Sequence, residues 1–324
     1  MGDLIQVLDL TKSYNSIFAV DHLSFDVKGG EVFGFLGPNG AGKTTTIRMM
    51  VGLTQPGSGT ALINGHDVLK EPVEVKKIIG LVPETSNLYG ELTAFKNLIY
   101  QGELYGIPRK ERRVRSIKLL EEFGLREHQE KPFQALSRGL KRRLTIAAAL
   151  IHNPEILFLD EPTTGLDVMS ARGLRELIGD LKRKGVTLFL TTHYIPEAEG
   201  LCDRIAVIVK GKIMVIDTPE NIKAQVKDTE ILEIKLDRIT EDLKNKLLSM
   251  EAIEKILIAE SRIRFHTQKL DQVAFPIIKT IEQHGARIQA INTLSPSLED
   301  AFVRITGLDS ELMKIDKPLK MGPD

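Results

Sequence analysis

Cysteine is almost missing from this chain. Cys202 is its only one, so no disulfide can form within it. No Cys/His cluster with metal-ligand spacing occurs, and the seven histidines are scattered. No apolar run approaches the ~18 residues that a membrane-spanning helix needs. Met1 to Leu10 lack the charged-then-apolar pattern of a secretion signal. The expected location is therefore the cytoplasm, with any membrane role supplied by a partner. A surplus of charge is missing too. Basic and acidic residues number 44 each, which argues against bulk attraction to nucleic acid or an anionic bilayer. What is there is a balanced composition, 42% hydrophobic and 27% charged over 324 residues. That suits one large domain, or a domain with an appendage, around a sizeable core.

The opening region reads as strand-rich. Leu23, Phe25 and Val27 alternate with polar residues, and a second strand runs from Glu31 to Leu36. After the loop Pro56-Gly57-Ser58-Gly59 come short strands from Thr60 to Ile63 and from Ile78 to Val82. From Leu92 to Ile151 the pattern turns helical. Leu140, Leu144, Ala147, Ala148 and Ile151 fall on one face, with Arg138, Lys141, Arg142 and Thr145 opposite. Three apolar strands follow, Ile156 to Leu159, Thr187 to Leu190 and Ile205 to Val209, separated by helix-length segments. This order predicts a parallel sheet covered on both faces. Beyond Thr218-Pro219 the order becomes β-α-β-β-α-β, that of a ferredoxin-like unit. There Pro276 is expected to kink a helix from Asp271 to His284 or to mark its first turn. The polar residues 308–324 read as a loose tail.

The chemistry starts at Gly37-Pro38-Asn39-Gly40-Ala41-Gly42-Lys43-Thr44, which fits GxxxxGK[ST] between a strand and a helix. Glycines at these positions let backbone N–H groups converge on phosphate oxygens at the helix N-terminus. Lys43 suits β- and γ-phosphate charge, and the Thr44 hydroxyl suits Mg²⁺. Asp160-Glu161 ends an apolar strand. Alone, such a pair suits a turn or a helix cap. Beside the loop, Asp160 can reach the Mg²⁺ and Glu161 can polarise an attacking water. The basic cluster Arg138, Lys141, Arg142 and Arg143 lacks interleaved aromatics, so it reads as a solvated face rather than a nucleic-acid surface.

Over residues 3–220 these motifs resemble the ATP-binding subunits of ABC transporters. Leu136-Ser137-Arg138-Gly139-Leu140 stands where that family has its LSGGQ signature. Thr164-Gly165-Leu166-Asp167 is similar to its D-loop, and Thr191-Thr192-His193 to its switch histidine. The resemblance implies a RecA-like P-loop core (α/β) with an antiparallel β subdomain and a helical subdomain at residues 85–150. These would make an ATP-binding domain at 1–220 and leave the small α+β ferredoxin-like unit at 228–307. It implies ATP and Mg²⁺ as cofactors. ATP contacts would come from Tyr14 stacking on adenine, from Val20, from residues 37–45 including Thr45, and from Ser137, Gly139 and Asp167. Mg²⁺ would take Thr44, Glu84 and Asp160, with catalysis by Glu161 and His193. The implied partners are a second ATP-binding subunit, as a homodimer, and an integral-membrane subunit that holds the chain at the inner face of the membrane.

Two departures from the family pattern stand out. Arg138 and Leu140 replace Gly and Gln in the signature, and Glu84 follows Pro83 where the family has a glutamine. Glutamate still offers an oxygen to Mg²⁺, now with a charge; the lesser alternative is a surface residue after the turn. The stretch Ser295-Pro296-Ser297-Leu298-Glu299-Asp300-Ala301-Phe302 resembles the end of drug- and lipid-exporter ATPases of the daunorubicin-resistance-like group. By itself it is a helix with Leu298, Phe302 and Ile305 on one face. An exporter ATPase is the leading expectation. The alternatives are an importer ATPase with a regulatory C-terminal domain, or a soluble ABC-type ATPase outside transport.

Overall fold

The computed structural model describes residues 2–226, 230–250, 253 and 255–308. They fall into two compact units that divide between Pro219 and Glu220. In the first, strand Val32–Leu36 is buried at all five positions, as are Ile156–Asp160 and Thr187–Thr192. Unbroken burial marks strands covered on both faces. The six-stranded sheet runs Lys212–Asp217, Arg204–Val209, Val32–Leu36, Thr187–Thr192, Ile156–Asp160, Ile79–Val82. Neighbours are parallel except at one edge, where Lys212–Asp217 returns antiparallel to Arg204–Val209. Lys210 and Gly211 at that hairpin both have positive φ, 49° and 79°, as a tight two-residue turn between right-twisted strands requires.

A second sheet, four-stranded, runs Ile17–Lys28, Asp3–Tyr14, Ser58–Ile63, His66–Asp67. Its pairs are antiparallel. Phe25 on this sheet stacks on Phe33 of the other at 5.5 Å and lies 6.1 Å from Phe189. The two sheets thus share one aromatic core with Ile47, Met49 and Met50. Strand Asp3–Tyr14 carries no clean alternation because its register against Ile17–Lys28 shifts and Asp9 sits at φ 53°. Helix Pro72–Ile78 precedes strand Ile79–Val82, so Ile78 closes a helix instead of opening the strand.

The helical region holds Ala94–Leu104, Arg109–Glu122 and Arg138–Ala149. Thr93 and Ser137 cap the first and last through their side chains. Burial of Leu144, Ala147, Ala148 and Ile151 bears out the apolar face. The opposite face departs from expectation, because Arg142 is 7% exposed and Thr145 is 2% exposed. Helix Arg138–Ala149 is covered there as well, for a reason that lies in the site below.

In the second unit the four strands run Lys255–Ala259, Arg262–Thr267, Glu230–Leu236, Ile288–Leu294, all antiparallel. Helices Glu241–Leu248 and Leu270–Gln283 send Leu243, Leu247, Ile277 and Ile281 into a core with Leu232, Ile234 and Phe265. This is the ferredoxin-like order. Pro276 lies inside Leu270–Gln283 and not in its first turn. Helix Leu298–Thr306 is fixed by a reciprocal capping box between Ser297 and Asp300, with Leu298, Ala301 and Phe302 buried. Of the expected tail, residues 309–324 lie outside the described residues.

Candidate functional site: a phosphate loop and paired carboxylates

Parallel register aligns the C-terminal ends of four neighbouring strands. Leu36 stands beside Thr192, Thr191 beside Asp160, and Leu159 beside Val82. The segments that leave these ends are the loop 37–42, His193, Asp160-Glu161 and Pro83-Glu84. Crevices at the carboxyl ends of such sheets are where α/β folds bind ligands.

The loop's glycines are set by backbone demands. A Cβ at Gly37 would come within 2.2 Å of the Ile208 carbonyl oxygen, and one at Gly42 within 2.2 Å of the Ala19 carbonyl oxygen. Gly40 and Gly42 also sit at φ 80° and 105°, a region that only glycine enters at little cost. Gly42 caps helix Lys43–Met50 without any side-chain bond, so the helix presents uncapped N–H groups. Asn39, Gly40, Gly42, Lys43, Thr44 and Thr45 line a cleft of about 520 Å³. Tyr14, Ala19, Glu84, Glu161, Thr164 and His193 complete it.

Several expected residues lie away from that lining. Val20 is wholly buried in the core, and its neighbour Ala19 lines the cleft instead. Ala41 is buried within the loop, Gly37 N–H bonds the Thr192 carbonyl at 3.2 Å, and Ala41 N–H bonds that of Pro38 at 3.1 Å. Tyr14, by contrast, does line the cleft, 50% exposed at a strand end under the ammonium of Lys12 at 5.4 Å. Ser137, Gly139 and Asp167 gather at a separate exposed corner. Arg138 donates to the Gly165 carbonyl at 2.6 Å, and a Cβ on Gly139 would meet Ser170 Oγ at 2.6 Å. Asp167 accepts from the Ser170 hydroxyl at 2.6 Å and from its amide at 2.9 Å. These bonds hold its carboxyl below the usual range.

The charged centre is tightly wired. Lys43, 5% exposed, donates to the Gly37 and Pro38 carbonyls at 2.7 and 3.2 Å and lies 3.0 Å from Glu161 Oε1. Glu161 Oε2 accepts from the Thr164 hydroxyl at 3.0 Å and meets His193 Nδ1 at 2.8 Å. Burial alone would raise the Glu161 carboxyl, but the His193 hydrogen bond and the Lys43 charge carry it down to about 2. The carboxylate is therefore ionised and accepts only, which makes His193 Nδ1 the donor. Glu161 itself stands at φ 46°, a conformation uncommon outside glycine. Asp160 Oδ1 accepts from Thr44 at 3.2 Å and from Thr191 at 2.6 Å. The Thr191 hydroxyl in turn accepts from the Glu161 amide at 3.0 Å.

These hard oxygens suit a divalent cation. The Thr44 hydroxyl and the Asp160 carboxylate adjoin, and Glu84 lines the same cleft. Among the described residues no group of three or more His, Cys, Asp or Glu could hold a metal alone. Oxygen ligands of this kind suit Mg²⁺, which keeps several waters and shares nucleotide phosphates. Sequence reasoning missed Ala19, Thr164 and Thr191. Ala19 carries no motif identity of its own, and Thr164 was in view as part of the D-loop motif but without a role in the cleft. Thr191 was in view as part of the histidine motif, but its bond to Asp160 depends on strand register.

A phosphate loop facing paired carboxylates across a parallel sheet defines a P-loop nucleoside triphosphatase. Comparison with known proteins narrows this. The family model for the ABC transporter matches residues 20–164. The linearmycin resistance ATP-binding protein LnrL of Bacillus subtilis is 34% identical over 306 residues, 94% of this chain and 98% of that protein. The daunorubicin/doxorubicin resistance ATP-binding protein DrrA of Streptomyces peucetius is 35% identical over 314 residues, 94% of this chain and 92% of that protein. A dimeric post-hydrolysis structure of the ATP-binding cassette MJ0796 with ADP and Pi aligns at TM-score 0.60 and 28% identity. It covers 66% of this chain and 98% of the other. The chain belongs to the ATP-binding subunits of ABC transporters and is an ATPase of that family. No described helix is long and apolar enough to cross a membrane.

Proposed function

We propose that this chain is the ATPase of an exporter, closing as a dimer around two Mg-ATP while an integral-membrane subunit forms the passage. The observation that carries the hydrolytic reading is Glu161, an ionised carboxylate held at the phosphate loop between Lys43 and His193. Lys43 exchanges its contact with Glu161 for the β- and γ-phosphates, and the amides of 39–44 cradle them. Glu161 then polarises the attacking water, with His193 Nδ1 holding the carboxylate in place. Tyr14 offers its ring face to adenine. Bound Mg²⁺ would neutralise phosphate charge, and Thr44, Asp160 and Glu84 are the side chains that would hold it. Ser137 and Gly139 open the capped helix Arg138–Ala149 at an exposed corner, where a second copy can present that helix end to the γ-phosphate. The dimeric MJ0796 cassette supports the pairing, and the drug-resistance names of LnrL and DrrA support export.

The test uses inverted membrane vesicles that carry the chain with its membrane subunit. ATP should drive an amphipathic dye into the vesicle lumen, and Lys43→Ala should stop both that movement and hydrolysis. ATP-driven movement in the opposite sense would establish an importer instead.

A further inference from the structure

The buried Arg142 is absorbed by none of the roles above. Its guanidinium carries five N–H donors, and all five are used, each on a backbone carbonyl. Nε donates to Pro162 at 2.8 Å. One terminal nitrogen donates to Asp160 at 2.6 Å and Glu161 at 2.9 Å. The other donates to Pro83 and to Glu84, the latter at 3.2 Å. These carbonyls belong to two adjacent strand ends, and the arginine comes from a third element, helix Arg138–Ala149.

Strand pairing stops at Asp160 and Glu161 turns to positive φ, so the carbonyls beyond the ladder take other donors; that of Glu161 accepts from the Thr164 amide at 3.3 Å as well as from Arg142. A buried carbonyl left without a donor costs about 1–3 kcal/mol. Burial lowers the guanidinium to about 10, against the opposing charge of Asp160, so it stays cationic at neutral pH. A lysine ammonium at this place has three donors on one atom and cannot span two strand ends.

We propose that Arg142 is the positioning residue of the hydrolytic site, locking the Glu161 backbone and the Glu84 loop into one unit with the signature helix. It is not among the residues that line the cleft. It acts by fixing where the Glu161 carboxylate points and by making the Glu84 loop move with it. This rests on the reading of Glu161 as the residue that polarises water.

The experiment compares the full-length chain with Arg142→Met, Arg142→Lys and, in parallel, Lys43→Ala. Phosphate release gives kcat, titration with trinitrophenyl-ATP gives affinity, and thermal melting gives the folded fraction. A small misplacement of a catalytic group costs on the order of 100-fold in rate, so Arg142→Met should lose about that much kcat. Its nucleotide affinity should be unchanged, because none of its five partners lies in the loop 37–45. Arg142→Lys should recover part of the rate, and it carries the test alone if Arg142→Met does not fold. Lys43 dependence together with full activity of the Arg142 variants would overturn the role of Arg142 alone. So would a kcat loss no larger than the loss of affinity or folded protein. Hydrolysis that survives Lys43→Ala would overturn the nucleotide reading, and the role of Arg142 with it.

Discussion

Replacing Glu161 with glutamine separates binding from hydrolysis and exposes the electrostatics of the site. The amide keeps the shape of the side chain but loses its charge. Glu161 is 7% exposed, and its carboxyl lies at about 2 because the His193 hydrogen bond and the Lys43 charge outweigh the cost of burial. At neutral pH it is thus ionised and able to accept a hydrogen bond from the attacking water, and positioned acid–base groups contribute about 10²–10⁴-fold in rate. A loss of that size in kcat is expected. ATP affinity should hold or rise, since Lys43 no longer has a carboxylate competing with phosphate. The nucleotide-free protein should suffer. A folded pKa depressed from 4.5 to about 2 stabilises on the order of 3 kcal/mol above pH 4.5 and is lost as pH falls towards 2. The variant lacks that contribution. Its melting temperature should therefore lie several degrees below wild type at pH 7, with the gap closing towards pH 3. Stopped phosphate-release assays and melting curves at three pH values suffice. A variant that hydrolyses at more than about a tenth of the wild-type rate would refute the role of Glu161.

Other expectations test separate parts of the site. Gly42→Ala should abolish nucleotide binding while the fold survives by circular dichroism, because its Cβ would lie 2.2 Å from the Ala19 carbonyl oxygen at φ 105°. Glu84→Gln keeps an oxygen in the cleft and should shift the free-Mg²⁺ dependence of hydrolysis only modestly, whereas Glu84→Ala should lose far more; superimposed curves would place Glu84 outside the metal site. Ending the chain after Val226 removes the strands and helices of the ferredoxin-like unit but no residue of the cleft. Fluorescent-nucleotide affinity of the folded remainder should match that of the full chain.

Much of this was legible because the motifs are short and the physics local. The loop 37–44, the strand ending in Asp160-Glu161 and the Ser137 cap each declare themselves within about eight residues, and residue-by-residue burial of the central strands matches their unbroken apolar runs. The misses are of another kind. Strand Asp3–Tyr14 hid behind bulges that break its alternation. The edge strand Lys212–Asp217 was obscured because its pairing is set by a turn at Lys210-Gly211 and not by an apolar run. Arg142 read as a solvated cation because a helical wheel shows one helix only. Its five acceptors arrive from residues 83–84 and 160–162, which sequence distance conceals. Val20 shows the same limit in reverse, since its spacing suggests the cleft while strand pleating turns it inward and leaves Ala19 at the surface of the site.

In the proposed mechanism hydrolysis belongs to a pair of chains, each offering its Ser137 helix end to nucleotide held by the other. Light scattering of Glu161→Gln with and without Mg-ATP tests it most directly. The mass should double with Mg-ATP and return to that of one chain without it. Adding Ser137→Arg, which blocks the helix end, should abolish the doubling and leave ATP binding by the single chain intact. A chain that stays single when saturated with Mg-ATP, or one that pairs equally well with Ser137→Arg, would rule out hydrolysis by a pair joined through this helix end.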